Sequence, residues 1–263
     1  MKVGYCQFAP SFGDLDSTLA RLSRLAGSMP DADVIVLPEL CNSGYNFSSR
    51  EEALKLSEPI GDSRFIRHLE ELARKMNAYF VSGFNERDGE ALYNSSVLIG
   101  PRGVIGSYRK IHLFMNEKNL FKRGDAGINV FDIGACRIGM LICYDWMFPE
   151  VWRIAALKGA DIICHPCNLV LPGLAQKAVP VHALINGVYV VTAKRIGREG
   201  AVTFTGLSTI ASPKGEVLHQ ASPAGDEAFS IEIDVAAARN KMIAAGNDRF
   251  GDRIVDEYQY LTR

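Results

Sequence analysis

The sequence predicts a single layered α/β domain. Three observations lead there: apolar runs of strand length alternate with amphipathic stretches of helical period, hairpin-like strands crowd the middle and end of the chain, and no linker, repeat or low-complexity tract interrupts its 263 residues. Residues 3–9 form a first strand. Leu15, Leu19, Leu22 and Ala26 then share one helical face behind Asp14, a candidate N-cap. Val34-Ile35-Val36-Leu37 is a short apolar strand stopped by Pro38. Phe65, Leu69, Leu72 and Met76 make a second amphipathic helix, with Asp62 as its expected cap. Strands follow near 79–84, 94–99 and 104–110, the last two joined by a turn at Gly100-Pro101-Arg102-Gly103. Residues 138–142 are a buried strand, and Pro149 suits the first turn of a helix carrying Trp152, Ala155, Ala156 and Gly159. A strand at 161–164 precedes a helix with Leu174, Ala178, Val181 and Ile185 on one face. Strands near 188–193, 203–211, 216–219 and 228–233 complete the set.

Composition narrows the function classes. With 48% hydrophobic and 22% charged residues, the chain can bury a core without disulfides or a structural metal. A net charge of -1 carries no electrostatic footprint for nucleic acid or an anionic membrane. The mixed-sign cluster from Arg64 to Lys75 reads as a solvated helix face. The first apolar run breaks at Pro10, too early for a signal peptide, so a cytoplasmic location is expected. In a reducing compartment the six cysteines, at 6, 41, 136, 143, 164 and 167, form no disulfide framework.

Three reactive side chains each follow an apolar strand: Glu39, Lys110 and Cys143. In α/β folds, ligands bind beyond the ends of buried strands. A thiol needs an adjacent base to attack an amide carbonyl, a carboxylate can take that proton and return it to a leaving amine, and an ammonium can stabilise the oxyanion between. Each residue also has a plain structural reading: Cys143 as core, Glu39 as a loop cap, Lys110 as a surface cation. Spacing alone does not bring the three together.

Longer segments add a resemblance. Leu37-Pro38-Glu39-Leu40, Tyr108-Arg109-Lys110-Ile111-His112-Leu113 and Cys143-Tyr144-Asp145-Trp146-Met147-Phe148-Pro149-Glu150 resemble the three signature segments of the nitrilase, or carbon–nitrogen hydrolase, superfamily. Tyr93-Asn94-Ser95, Gly124-Asp125, His165-Pro166 and Ala211-Ser212-Pro213-Lys214-Gly215 look like further landmarks, so the resemblance covers nearly the whole chain. It implies a four-layer αββα sandwich and hydrolysis through a cysteine thioester. Glu39 would be the general base, Lys110 the oxyanion stabiliser and Cys143 the nucleophile, with the Tyr144 N–H as a second oxyanion donor. Glu117 matches a further glutamate with a positioning role near Lys110, or acts as its ion-pair partner. Two carboxylates in one pocket raise the proton affinity of at least one. Tyr45, Phe114 and Trp146 are expected pocket walls, joined by Asn168 of the His-Pro-x-Asn segment. No metal or organic cofactor is required, and Gly100, Gly103 and Gly106 fit turns rather than nucleotide binding.

Relatives that bind carboxylated amides carry arginine just after the nucleophile, whereas this chain has Trp146-Met147. That favours a small neutral or amine-bearing carboxamide, N-carbamoyl amines included, with nitrile hydrolysis as the alternative. Two readings from other classes stand beside it. Cys164-His165-Pro166-Cys167 suggests a redox dithiol or metal site, and an inactive relative would serve only as an interaction module. Self-association into a homodimer or larger homo-oligomer is expected from the resemblance, with residues 245–263, including Tyr258 and Tyr260, docking on a neighbour.

Overall fold

The computed structural model describes residues 1–262. The first half contains β1 (Lys2–Gln7), α1 (Leu15–Gly27), β2 (Val34–Val36), α2 (Arg50–Lys55), α3 (Arg64–Met76), β3 (Tyr79–Asp88), β4 (Ala91–Gly100) and β5 (Gly103–Arg109). Next come α4 (Glu117–Leu120), β6 (Val130–Asp132), β7 (Arg137–Met140), α5 (Pro149–Leu157), β8 (Ile162–Cys167), α6 (Leu174–Asn186) and β9 (Tyr189–Lys194). The chain continues with β10 (Arg198–Glu199), β11 (Val202–Thr203), β12 (Thr209–Ala211), β13 (Val217–Gln220), β14 (Glu227–Glu232), α7 (Val235–Arg239), β15 (Met242–Ala244) and β16 (Asn247–Asp248).

Two six-stranded sheets result, ordered β14-β1-β2-β3-β4-β5 and β13-β12-β9-β8-β7-β6. Each has three parallel strands at its centre, β1–β2–β3 in one and β7–β8–β9 in the other, flanked by antiparallel neighbours. Alternation along the first sheet assigns its two faces. Cys6, Ile35, Leu37, Phe80 and Phe84 pack outward on Leu19, Leu22, Phe65 and Leu69 of α1 and α3. Val3, Tyr5, Val34, Val36, Val81 and Leu98 face inward and share one core with Ile138, Met140, Val191 and the residues of α5 and α6. The layers therefore run helix, sheet, sheet, helix, as the resemblance implies.

Several local expectations shift. The cap of α3 is Ser63, whose hydroxyl accepts the Ile66 N–H at 3.0 Å, while Asp62 closes a preceding 3-10 turn and pairs with Arg67. Gly106 is no turn residue; it lies inside β5, where a Cβ would stand 2.1 Å from the Phe131 ring. Helix α6 buries Ala175, Val179, His182 and Ala183, so Leu174, Val181 and Ile185 face outward. No helix among the described residues is long and apolar enough to cross a membrane.

Candidate active site

Glu39 sits just past β2, in a loop laced to β3: Leu37 N–H donates to Val81 O at 2.8 Å, Gly83 N–H to Pro38 O at 3.1 Å and Cys41 N–H to Gly83 O at 3.1 Å. This close approach requires glycine at 83, because a Cβ there would stand 2.3 Å from the Glu39 Cα. The Glu39 carboxylate is fully buried. Its Oε1 accepts from Asn94 Nδ2 at 2.7 Å and Lys110 Nζ at 2.7 Å, and its Oε2 accepts the Asn168 N–H at 2.8 Å. Asn168 Nδ2 also donates to the Glu39 carbonyl at 2.9 Å. A buried charge so placed is compensated on both oxygens and held in one orientation.

Lys110 follows β5 and is anchored through its main chain, its N–H donating to Asn94 O at 2.8 Å and its carbonyl accepting the Gly124 N–H at 2.9 Å. Its Nζ bridges Glu39 Oε1 and Glu117 Oε1, the latter at 2.9 Å. Burial opposes the ammonium, but Glu117 and Glu39 outweigh it and hold the lysine charged well above its ordinary range. Glu117 opens α4 and also accepts Tyr45 OH at 2.9 Å and the Phe114 N–H at 3.2 Å. Burial raises its carboxyl above the ordinary range, with Lys110 pulling the other way and Glu39 adding to the rise.

Cys143 begins a 3-10 turn, Cys143–Met147, directly after the buried β7 segment and its Leu141-Ile142 extension. Its φ of 42° lies in the left-handed region, uncommon outside glycine. Asp145 fixes this turn: Oδ2 accepts the Ile142 N–H and the Tyr108 OH, both at 2.8 Å, Oδ1 lies 2.7 Å from His112 Nδ1, and its carbonyl accepts Trp152 Nε1–H at 2.9 Å. A hydrogen bond with Cys167, then burial and the nearby Glu39, raise the Cys143 thiol well above the ordinary range, with Lys110 opposing. It rests as a neutral thiol beside a carboxylate.

Cys143 lines a cavity of about 10 Å³ with Phe114, Tyr144, Trp146, Asn168 and Leu169. Phe114 and an adjoining valine, Val170, also border an outer cleft of about 350 Å³ that contains Tyr45, Asn46, Asn116, Glu117 and Thr203. Two larger clefts, about 590 and 610 Å³, lie elsewhere, around Arg137, Asp161 and Arg239 and around Tyr189, Glu232 and Arg249; Glu39, Lys110 and Cys143 line neither. Size alone does not select the site; convergent chemistry does.

Every sequence-predicted residue falls in this region. Phe114, Tyr144, Trp146 and Asn168 wall the cavity, while Tyr45 stands in the outer cleft with its hydroxyl on Glu117. Asn94 was visible only as a landmark; a polar Asn94-Ser95-Ser96 run between apolar residues of one strand was its signal. Glu199 had none: paired with buried Arg195, it accepts the N–H groups of Tyr45 and Asn46 at 3.0 and 2.8 Å and fixes their loop. Cys164 and Cys167, three residues apart on β8, point to opposite faces, about 10 Å apart along the strand and beyond disulfide reach. Among the described residues no three His, Cys, Asp or Glu side chains form a metal-binding group.

Comparison with known proteins gives a consistent picture. A nitrilase from Pyrococcus abyssi is 47% identical over 98% of this chain and 99% of its own length. N-carbamoylputrescine amidase from Arabidopsis thaliana is 30% identical over 98% of this chain and 94% of its own. The crystal structure of a carbon-nitrogen hydrolase from Helicobacter pylori G27 superposes with a TM-score of 0.89 at 24% identity, covering 100% of this chain and 99% of that one. The sequence pattern of carbon-nitrogen hydrolases matches residues 2–241, so the chain belongs to that family and is a hydrolase of carbon–nitrogen bonds other than peptide bonds.

Proposed function

We propose that the chain hydrolyses a small neutral or amine-bearing carboxamide, or an N-carbamoyl amine, through a thioester on Cys143. The observation that carries this reading is one hydrogen-bonded cluster. Lys110 Nζ is shared between Glu39 at 2.7 Å and Glu117 at 2.9 Å, and Glu39 is tied at 2.8 Å to Asn168, which lines the cavity with Cys143.

As the Cys143 sulfur attacks the amide carbon, Glu39 takes the thiol proton, and the oxyanion develops toward Lys110 Nζ and the Tyr144 N–H. The C–N bond breaks as Glu39 passes that proton to the departing nitrogen, leaving ammonia and the acyl thioester. Water, deprotonated by Glu39, then attacks the thioester, and the acid leaves as the thiol is restored. From an N-carbamoyl amine the same steps give a carbamate, which falls apart to amine and CO2. Glu117 keeps Lys110 charged and aimed.

The lining of the cavity supports the substrate class. Among the described residues no arginine lines it or the outer cleft, so a substrate carboxylate lacks a bidentate partner. Glu117, Asn46 and Asn116 in the outer cleft offer acceptors for an amine tail. The relative named N-carbamoylputrescine amidase agrees with this class. Nitrile hydrolysis is the second reading, favoured by the relative named nitrilase, since the same thiol adds to a nitrile carbon. An ammonia-release screen over matched amides, ureido compounds and nitriles decides between them. Cys143→Ala should fall by at least about 10⁴-fold on every substrate. Residual turnover close to that of the unmodified protein would remove Cys143 from the mechanism.

A further inference from the structure

The Cys164-His165-Pro166-Cys167 segment is left unexplained by hydrolysis, and its two cysteines face away from each other across β8. Cys167 has a different neighbour. Its Sγ lies 3.3 Å from His165 Nε2, the same nitrogen that meets the Cys143 carbonyl oxygen at 3.0 Å, so one ring nitrogen holds the two cysteines side by side. Directly across the parallel register from Cys167 stands Lys194, almost fully buried and outside the ion pairs of the described residues. The sulfurs of Cys167 and Cys143 are the groups that favour its ammonium. Burial favours the neutral thiol at Cys167, yet the hydrogen bond with Cys143 and the adjacent His165 ring outweigh it and bring the group down to about 6. The more acidic thiol of this pair is therefore not the one in the cavity. Cys143 lines the cavity and Cys167 does not, so an oxidant that enters meets the Cys143 sulfur first.

We infer that Cys143 and Cys167 form a reversible disulfide when a small hydroperoxide enters the site, with Cys167 as the resolving cysteine. The first step rests on Cys143 being the reactive thiol of the proposed hydrolysis. Its sulfur attacks one peroxide oxygen as the thiol proton passes to Glu39. The S–O bond forms, the O–O bond breaks, and the expelled hydroxide takes the proton from Glu39 as water, leaving a sulfenic acid. Cys167 thiolate then attacks the Cys143 sulfur. The S–S bond forms, the S–O bond breaks, and the second hydroxide leaves with the proton that Cys167 released. Two thiols and one peroxide give a disulfide and two waters, and an external dithiol reverses the change. The nucleophile is thereby held in a recoverable form instead of advancing to sulfinic acid.

The test reads mass as well as activity, so it does not depend on a substrate having been found. The protein is treated with stoichiometric hydrogen peroxide, alkylated and mapped by peptide mass. The expected result is an intact mass lower by two hydrogens, a cross-linked pair of peptides containing Cys143 and Cys167, and amidase activity that is lost and then regained with dithiothreitol. Cys164→Ala should keep the cross-link. Cys167→Ser, its fold checked by circular dichroism, should instead gain two oxygens at Cys143 and stay inactive in dithiothreitol. A Cys164–Cys167 cross-link overturns the inference, as does a native protein that gains oxygens at Cys143 as readily as Cys167→Ser.

Discussion

Lys194 shows how a single side chain can oppose the fold that holds it. Burial brings its ammonium down from 10.5 to about 8, with only the sulfurs of Cys167 and Cys143 pulling back. Below about 8 the lysine is charged in both folded and unfolded chains, so the full penalty of burying that charge is present. As pH rises from 8 toward 10.5 the folded protein releases the proton first, the unfolded chain holds more protons, and stability rises. Lys194→Met should therefore be more stable by about 3 kcal/mol at pH 7, with the gap closing above pH 10. Urea unfolding at the two pH values measures it, and an equal or lower stability at pH 7 would contradict the buried-charge reading. At this scale the sequence revealed the chemistry better than the neighbourhood. Glu39, Lys110 and Cys143 stood out as reactive groups at strand ends, but only the longer signature segments joined them into one set. The partners of Cys167 and Lys194 were not legible, since they meet across a parallel register that local spacing does not encode.

At the scale of elements, what was legible followed periodicity and what was not depended on packing between elements. The Gly100–Gly103 turn and the alternation of strands through 79–109 were readable from residue types alone. Helix α6 was readable as a helix, but its apolar residues occupy two faces, and composition did not say which one the sheet covers. Short α2 carries little periodicity at all, and went unseen. The segment that bears Glu39 depends on one backbone approach, where β3 passes the Glu39 loop at Gly83. Main chain on that side cannot yield as a flexible side chain would, so Gly83→Ala should cost about 3–5 kcal/mol and displace the carboxylate. Denaturant midpoint and ammonia release should fall together. A variant that kept both would mean that the loop is not held there.

Over the whole molecule, the outward residues of α5 and α6 pose a question of solubility. Ile154, Leu157, Leu174, Val181 and Ile185 are all exposed, as are Ile254, Val255, Tyr258 and Tyr260 toward the end of the chain. Apolar patches on this scale mark contact surfaces. We expect a second copy of the chain to cover the α5–α6 face, with the segment after 245 docking beside it. Light scattering should give a mass of at least twice 28.9 kDa, and Val181→Asp with Ile185→Asp should halve it. A monomeric mass for the unmodified protein would refute this. The distribution of the site over the two sheets has a further consequence. Glu39 and Lys110 belong to the first sheet, Cys143 and Asn168 to the second, and the first sheet is not complete until β14 arrives from residues 227–232. During synthesis on the ribosome, we expect the sulfur and the carboxylate proposed as its proton acceptor to remain on separate, undocked halves until β14 emerges. The growing polypeptide thus carries a latent reagent, armed only by the final closure of its own architecture.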